Sequence, residues 1–463
     1  MSLSVVILAA GKGKRMMSTL PKVMHPVGGK AMLHHVVDLA MHLSAEQVIV
    51  VHGEDKEPLR HALSNPSILW ALQKNQLGTG DAVSQAMPFI PSKNYVLILY
   101  GDVPLLTGAS LTRLLQGTPI NAMGLITAHV DNPFGLGRII RNNENQVLGI
   151  REEKDANDQE RQIHEINTGI FLLPAHYLEK WLPRLQNKNA QQEFYLTDIV
   201  EQAVAEGVKI FTTHPVHVEE VLGINDKIQL AQAERCLQKR HADHFLKAGV
   251  RIFDPARFDV RGALHTGSDV SVDIGVIFEG EVSLGNNTHI GPYCILKNCQ
   301  LEENVTILAH CHLEGVKIKK GAVIGPFARI RPGTEIGESA KVGNFVEIKN
   351  TIVGNESKIS HLSYIGDATI GTSVNIGAGT ITCNYDGTHK HQTYIEDYAF
   401  IGSGTQLVAP VKVESGAMVG AGSTLTKDAP RHQLTLTHKL EHRTRPWQKP
   451  PNKLQALQDL EEN

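Results

Sequence analysis

The sequence predicts three parts in tandem: an α/β domain with a largely parallel sheet, one linker helix, and a parallel β-solenoid of hexapeptides. Three observations carry the prediction. Short apolar runs alternate with helix-like stretches over residues 1–226. Asp226 to Ala248 contains neither Pro nor Gly and stops at Gly249. From Val270 to Leu425 an aliphatic residue recurs every six positions, often followed by Gly.

Taken in order, the runs Val5–Ala10, Val48–Val51, Val96–Leu99 and Met123–Ala128 read as strands, and Met32–Leu43 and Leu111–Leu115 as helices that cover both sheet faces. In the linker helix, Ile228, Leu230, Ala233 and Leu237 form the candidate buried side. The solenoid should run from Arg251 to Asp428, with its frame clearest in Ile324, Ile330, Ile336, Val342 and Ile348 and again in Ile395, Ile401, Leu407, Val413, Val419 and Leu425. Three hexapeptides make one triangular coil whose aliphatic residues stack inward. About ten coils, at roughly 4.8 Å each, would form a prism on the order of 45–50 Å long. Gly325, Gly337, Gly343, Gly366, Gly371, Gly377, Gly402 and Gly420 are expected to relieve the tight corners. A β-sandwich would not hold one six-residue frame for so long. Between Thr382 and Thr393 the frame breaks at Cys383-Asn384-Tyr385-Asp386-Gly387, which must leave the coil as a loop, and from Pro430 the tail should be irregular. The predicted domains are therefore 1–226, the linker 227–249, and 250–463.

Composition narrows the function classes. A net charge of −3 over 463 residues gives no general attraction to nucleic acid or anionic lipid. No run approaches the ~20 apolar residues of a membrane helix, and the apolar stretch Ser4–Ala10 is too short for a signal segment. Neither nucleic acid nor membrane is expected as a partner. The five cysteines form no C-x-x-C pair, which points to a reducing cytoplasm rather than disulfides or zinc.

Two segments carry chemistry in the α/β part. After the first strand comes Leu8-Ala9-Ala10-Gly11-Lys12-Gly13-Lys14-Arg15-Met16, then Pro21-Lys22. Glycines there let main-chain N–H groups approach phosphate oxygens, and Lys12, Lys14, Arg15 and Lys22 concentrate positive charge. The spacing is neither the dinucleotide fingerprint nor a Walker loop, and alone it also suits a plain strand-to-helix turn. The strand Val96–Leu99 leads into Tyr100-Gly101-Asp102, placing a carboxylate where open α/β sheets bind ligands. A hard oxygen beside phosphates suits Mg²⁺, although an Asp can equally begin a turn.

These motifs, with Gln73, Gln76-Leu77-Gly78-Thr79-Gly80, Ile166-Asn167-Thr168-Gly169 and Gly223-Ile224-Asn225, resemble the sugar-phosphate nucleotidyltransferases. With the hexapeptides added, nearly the whole chain resembles the bifunctional N-acetylglucosamine-1-phosphate uridylyltransferase/glucosamine-1-phosphate N-acetyltransferase family of bacterial cell-wall precursor synthesis. The resemblance implies a Rossmann-like α/β nucleotidyltransferase domain followed by a left-handed parallel β-helix. It places Leu8, Ala9, Ala10, Gly11, Lys22, Tyr100 and Gly101 around the nucleotide, and Gln73, Gly78 and Thr79 at the uracil. It places Gly137, Glu152 and Asn167 at the amino sugar, and Asp102 with Asn225 on Mg²⁺. UTP and acetyl-CoA are the implied co-substrates, glucosamine-1-phosphate and N-acetylglucosamine-1-phosphate the acceptors. In-line attack by a phosphate oxygen needs no general base, so Lys22 and Arg15 would act by charge stabilisation. Where the family commonly has Thr, this chain has Lys14.

In the solenoid, Arg331 and Lys349 lie one coil apart, so they should stack on one face and call for an anion such as a sugar phosphate. By themselves they also suit a solvated basic ladder. His361 is a residue type fit to deprotonate an amine near neutral pH, though a lone His on a coil is more often plain surface. The resemblance assigns it as the acetyl-transfer base, with Arg331, Lys349, Tyr364 and Asn375 on glucosamine phosphate. Ala378, Asn384, Tyr385, Ser403, Ala421 and His438 fall at acetyl-CoA positions, His438 standing where the family commonly has Arg. Relatives of this kind assemble as homotrimers, and the same is expected here. Two other readings compete: a single-activity nucleotidyltransferase with the β-helix as an oligomerising or regulatory scaffold, and a translation-factor exchange subunit. His361 beside the extruded loop argues against the first, and intact Gly11, Lys22, Asp102 and Asn225 against the second.

Overall fold

The computed structural model describes residues 2–437 except 12, 55, 56 and 64. The chain divides into two compact units, Met1–Lys320 and Gly321–Asn463.

In the first unit the sheet runs Ile210–Thr213, Met123–His129, Glu165–Pro174, Tyr95–Tyr100, Leu3–Leu8, Gln47–His52, Ile68–Leu72. Only Glu165–Pro174 is antiparallel to its neighbours in that row. A hairpin, Arg138–Arg141 with Val147–Arg151, pairs onto it. Along Leu3–Leu8, Val6 and Leu8 enter one apolar cluster while Val5 and Ile7 enter another. Burial on both faces is why such strands read as unbroken apolar runs. The first strand ends at Leu8, two residues before the apolar run does, so Ala9 and Ala10 belong to the loop.

The linker helix spans Lys227–Lys247. The Asp226 side chain caps it by accepting from Gln229 N at 2.9 Å, and Gly249 follows with φ of +93°. Of its expected buried side, Ala233 is buried and Leu230 and Leu237 pack beside it in one apolar cluster, whereas Ile228 does not. Ile228 is 72% exposed, and Ala233, Gln238, Ala242 and Phe245 are the buried residues. Gln238 is there because its amide completes a strand-like pairing: Oε1 accepts from Val260 N at 2.7 Å and Nε2 donates to Val260 O at 3.0 Å. A polar side chain satisfied in this way is absent from any apolar periodicity. Glu234 on the same helix accepts from Gly28 N at 2.6 Å, tying in the hairpin Pro26–Ala31 that follows Lys22.

First coils of the β-helix belong to this unit. One ladder joins Arg251–Ile252, Ser271–Val272, His289–Ile290 and Thr306–Ile307, all parallel. In the second unit the corresponding ladder joins Val323–Ile324, Lys341–Asn344, Lys358–His361, Asn375–Ile376, Phe400–Ile401, Met418–Val419 and Leu434–Thr435. Ile324, Val342, Ile359, Ile376, Ile401 and Val419 form one buried inward column.

Three expectations need correction. The frame is not uniformly six. Ile348 to Val353 and Ile365 to Ile370 are five-residue steps, so Glu335 pairs with Ile352 and Ile352 with Thr369. The coil also continues past Asp428, since Leu434–Thr435 pairs with Met418–Val419, and a two-residue strand of this kind has no periodic signature. Finally, of the glycines expected to relieve corners, only Gly325 has a positive φ. Gly337, Gly343, Gly371, Gly377 and Gly402 are demanded instead by closeness of the next coil's backbone: a Cβ on Gly343 would fall 1.9 Å from Ser360 O, and one on Gly377 would fall 2.5 Å from Ser403 N. The extruded loop appears between Ile381–Cys383 and Thr393–Ile395 as expected, except that Cys383 stays in the coil, paired with Val408.

Candidate active sites

At the carboxyl ends of Leu3–Leu8 and Tyr95–Tyr100 lies a cleft of about 280 Å³. It is lined by Leu8, Ala9, Ala10, Gly11, Lys22, Gln73, Gly78, Thr79, Tyr100 and Asp102 from the sequence reading, together with Val23, Gln76, Ala82 and Glu193. The Lys22 ammonium donates to Asp102 Oδ2 and, at 2.7 Å, to Asn225 Oδ1. Two oxygens drawn from distant segments thus converge on one cation. That donor set, a carboxylate and an amide oxygen, fits Mg²⁺ accompanied by phosphates and water. Asn225 is held by its N–H to Gln229 Oε1 at 2.7 Å, and Ile224 N donates to Asp102 O at 3.0 Å.

Gly13, with φ of +58°, packs so closely that a Cβ would sit 2.5 Å from Lys22 Cβ. Its absent side chain therefore gives room to Lys22 itself, a reason separate from phosphate approach. Lys12 lies outside the described residues. Arg15 sits exposed on the turn Lys14–Met16 and does not line the cleft. Gln73 is buried, donating to Gly78 O at 3.0 Å and Asp81 Oδ2 at 2.8 Å. Gly78 must be Gly, since with φ of +117° its Cβ would lie 2.5 Å from Phe194 O. Thr79 Oγ1 accepts from Leu196 N at 3.0 Å. Gln76, which the sequence offered only as part of a motif, bridges to Ala10 O across the cleft.

The residues that the resemblance assigns to the amino sugar lie close to one another. Asn167 N donates to Gly137 O at 2.8 Å, and the open side of Gly137 faces both Glu152 carboxylate oxygens. Burial pushes the Glu152 carboxyl up, opposed by the Thr197 hydroxyl that donates to it at 3.1 Å. Tyr100 is held well above the usual phenol range by burial, then by the charges of Glu152 and Asp102. A larger hollow of about 810 Å³ involves Glu152, Asp155, Tyr195 and Asp198 but lies away from Lys22 and Asp102. Asp198 there is pushed up to about 6 by burial, then by Glu201 and Glu152.

In the second unit, register explains the other site. Asn344 pairs with His361, and the same column continues through Ala378, Ser403 and Ala421, because Ile359, Ile376, Ile401 and Val419 are partners two residues earlier. Gly404 N donates to Ala378 O at 2.7 Å and Gly422 N to Ser403 O at 2.8 Å. His361 and three acetyl-CoA candidates therefore share one edge. Asn375 sits on the adjoining strand, in register with Lys358.

Arg331 and Lys349 stack one coil apart as the spacing implies. Neither stands alone, however. Arg331 Nη1 donates to Glu347 Oε1 at 2.8 Å, and Lys390 from the extruded loop lies against Lys349, whose side-chain hydrogen-bonding contact and then charge hold the Lys390 ammonium below the usual lysine range. An exposed ion pair is worth only ~0–1 kcal/mol, so an anion can compete for Arg331. Asn384 is buried and bonds Asp367, which also accepts from Asn350 at 2.7 Å. Gly366 is wedged there, with Tyr364 Oη 2.4 Å and Asn384 Nδ2 2.9 Å from where its Cβ would be. Tyr385 is 61% exposed on the loop. The loop closes on Asp386, which accepts from Thr388 N, His389 N and His391 Nε2 at 2.7 Å each and is held down to about 2. His438 lies outside the described residues. Sequence reasoning missed Asn344, Glu347 and Lys390, whose roles depend on register and loop closure rather than on any motif.

Comparison with known proteins follows the same division. The MobA-like NTP transferase domain matches residues 5–202, and the bacterial transferase hexapeptide (six repeats) matches residues 315–350. A "Bifunctional protein GlmU" of Marinobacter nauticus is 49% identical over 448 residues, covering 97% of this chain and 99% of that protein. Proteins of the same name from Herminiimonas arsenicoxydans and Cupriavidus pinatubonensis are 50% and 49% identical over 448 and 451 residues, each match covering 97% of this chain and 99% of the relative.

Proposed function

The chain belongs to the bifunctional GlmU family, and from that premise we propose two reactions: acetyl transfer from acetyl-CoA to glucosamine-1-phosphate, then uridylyl transfer from UTP to the N-acetylated product. In the second, a sugar-phosphate oxygen attacks the α-phosphorus and the bond to the β-phosphate breaks, releasing pyrophosphate. Lys22 moves from Asp102 and Asn225 to the phosphates, while Gln73, Gly78 and Thr79 receive the base, and Gly137, Glu152 and Asn167 the amino sugar. Mg²⁺, held by Asp102 and Asn225, would neutralise phosphate charge. Arg15, exposed on its turn, would reach the phosphates only by moving inward.

For acetyl transfer, the amine loses a proton to His361 and attacks the thioester carbonyl, and the C–S bond breaks to release CoA. Arg331, Lys349 and Lys390 would hold the sugar phosphate, with Tyr364, Asn375 and Asn384 beside the sugar and the thioester. The cofactor arm would follow the Ala378–Ser403–Ala421 column. The sharing of that column with His361 carries the reading, since a mere scaffold has no use for a base in line with three small residues.

A homotrimer is part of this proposal. Phe327, Phe345 and Leu362, 47%, 57% and 62% exposed, occupy the corner next to the Asn344–His361 column and would be covered by a neighbouring β-helix. A cytoplasmic location is part of the same reading; the five cysteines form no disulfide among the described residues, and three of them are buried. Among the described residues no helix is long and apolar enough to cross a membrane.

The deciding experiment is CoA thiol release from acetyl-CoA, with and without glucosamine-1-phosphate and in the absence of UTP. Release that requires the amino sugar supports both activities. Pyrophosphate formation without such release would reduce the β-helix to a scaffold.

A further inference from the structure

His361 ends the strand Lys358–His361 and stands in register with Asn344, which ends Lys341–Asn344 one coil earlier. Its ring Nδ1 lies 2.7 Å from Asn344 Oδ1. The main chain is tied at the same place: Leu362 N donates to Asn344 O at 3.0 Å, and Ser363 Oγ donates to His361 O at 2.8 Å. An amide oxygen only accepts, so this contact puts the imidazole proton on Nδ1 and leaves the lone pair on Nε2. Nε2 has no hydrogen-bond partner among the described residues.

We propose that Asn344 is a positioning residue for acetyl transfer, selecting the Nδ1–H form of His361 and aiming Nε2 at the substrate amine. The inference rests on the acetyl-transfer reading above. In the step it supports, the amine proton passes to Nε2, the N–C bond forms, the C–S bond breaks, and the imidazolium returns the proton to the departing thiolate. A neutral amide suits this role better than a carboxylate. A carboxylate would also orient the ring, but it would favour imidazolium and reduce the fraction able to accept a proton near neutrality. The charged residues on the two paired strands are Lys341 and Lys358, in register with each other, and the Arg331–Glu347 pair lies on the face that follows. None of them makes a hydrogen bond to the ring.

The test uses full-length Asn344→Ala and Asn344→Asp, measuring amino-sugar-dependent CoA release across about pH 5.5 to 9. UTP-dependent pyrophosphate release serves as the folding control. Loss of one orienting hydrogen bond should make Asn344→Ala about tenfold slower in kcat, with both KM values within about twofold of wild type. Asn344→Asp should keep most of the plateau rate while the acid limb of kcat/KM moves up by about one pH unit. Wild-type kcat in the alanine variant, or an unmoved acid limb in the aspartate variant, would overturn the proposal. If alanine also abolishes pyrophosphate release, the near-isosteric aspartate variant decides the matter alone. Wild-type protein that releases no CoA with the amino sugar would defeat the underlying reading instead.

Discussion

Glu220 offers a strong test of how the proposed uridylyl site is held in place. Its carboxylate is fully buried. Oε2 accepts from Thr107 N at 3.2 Å, Thr107 Oγ1 at 2.7 Å and Ser110 Oγ at 2.7 Å, while Oε1 accepts from His217 N at 3.1 Å. Among the described residues no cation pairs with it. The group therefore joins the start of the helix Gly108–Gly117 to the turn Val218–Val221, which leads directly to Asn225. Glu220→Ala would remove the acceptor of two hydroxyls and two N–H groups, leaving the Thr107 hydroxyl only a 3.5 Å contact with Ser110 Oγ. At ~1 kcal/mol or more for each buried unmet partner, the cost is about 3–4 kcal/mol. For a domain of this size that corresponds to a fall in Tm on the order of 10 °C. Tryptophan fluorescence would follow it through Trp70 and Trp181. UTP-dependent pyrophosphate release should drop even below the transition, because the Asn225 segment loses its anchor, while CoA release continues. A Tm change under about 2 °C would refute the reasoning, since it would mean the four donors find other partners at no cost.

Separation of the two sites predicts that His361→Ala loses acetyl transfer but keeps pyrophosphate release from N-acetylglucosamine-1-phosphate, and that Asp102→Ala does the reverse; either variant losing both would contradict independent sites. Because the Lys22 ammonium neutralises the oxygens of Asp102 and Asn225, Lys22→Gln should increase Mn²⁺ binding without nucleotide, read by electron paramagnetic resonance, even as uridylyl transfer collapses. Unchanged Mn²⁺ binding would show that Lys22 does not compete for the site. Asp198 has a folded-state pKa of about 6, above its ordinary 3.8, so the folded protein holds its proton more tightly than the unfolded chain. Stability should therefore fall as pH rises from about 4 to 6 and then level off, and Asp198→Asn should raise Tm at pH 7.5 with the gain vanishing below about pH 4. Equal gains at both ends of a pH series of melts would exclude Asp198 as the cause.

Features legible in the sequence were those written in periodicity or in a local motif. Inward aliphatic residues recur because each coil repeats one environment, and Val5 to Leu8 or Val96 to Leu99 are unbroken because both sheet faces are covered. The linker helix was marked by its Asp and Gly ends and by Leu230, Ala233 and Leu237 on its packed side, but not by Gln238, which is buried because it satisfies a strand edge. Corner geometry was illegible for a different reason. Phe327, Phe345 and Leu362 adopt positive φ at the same corner as Gly379, Gly404 and Gly422 in later coils. A bulky residue there costs roughly 1–2 kcal/mol, which the coil's ladder hydrogen bonds must offset, so residue type does not reveal the conformation. The partner of His361 was hidden by the frame itself. A strict hexapeptide repeat sets residues eighteen apart against each other, as Arg329 is with Glu347, and would put Gly343 opposite His361. The five-residue step from Ile348 to Val353 shortens that coil by one and brings Asn344 into register instead. Gly343 has no side chain to offer the imidazole, and its close approach to Ser360 O admits none. One residue fewer in a corner on another face thus sets whether His361 meets an amide or bare backbone, which ties the chemistry of the site to an irregularity that the repeat itself conceals.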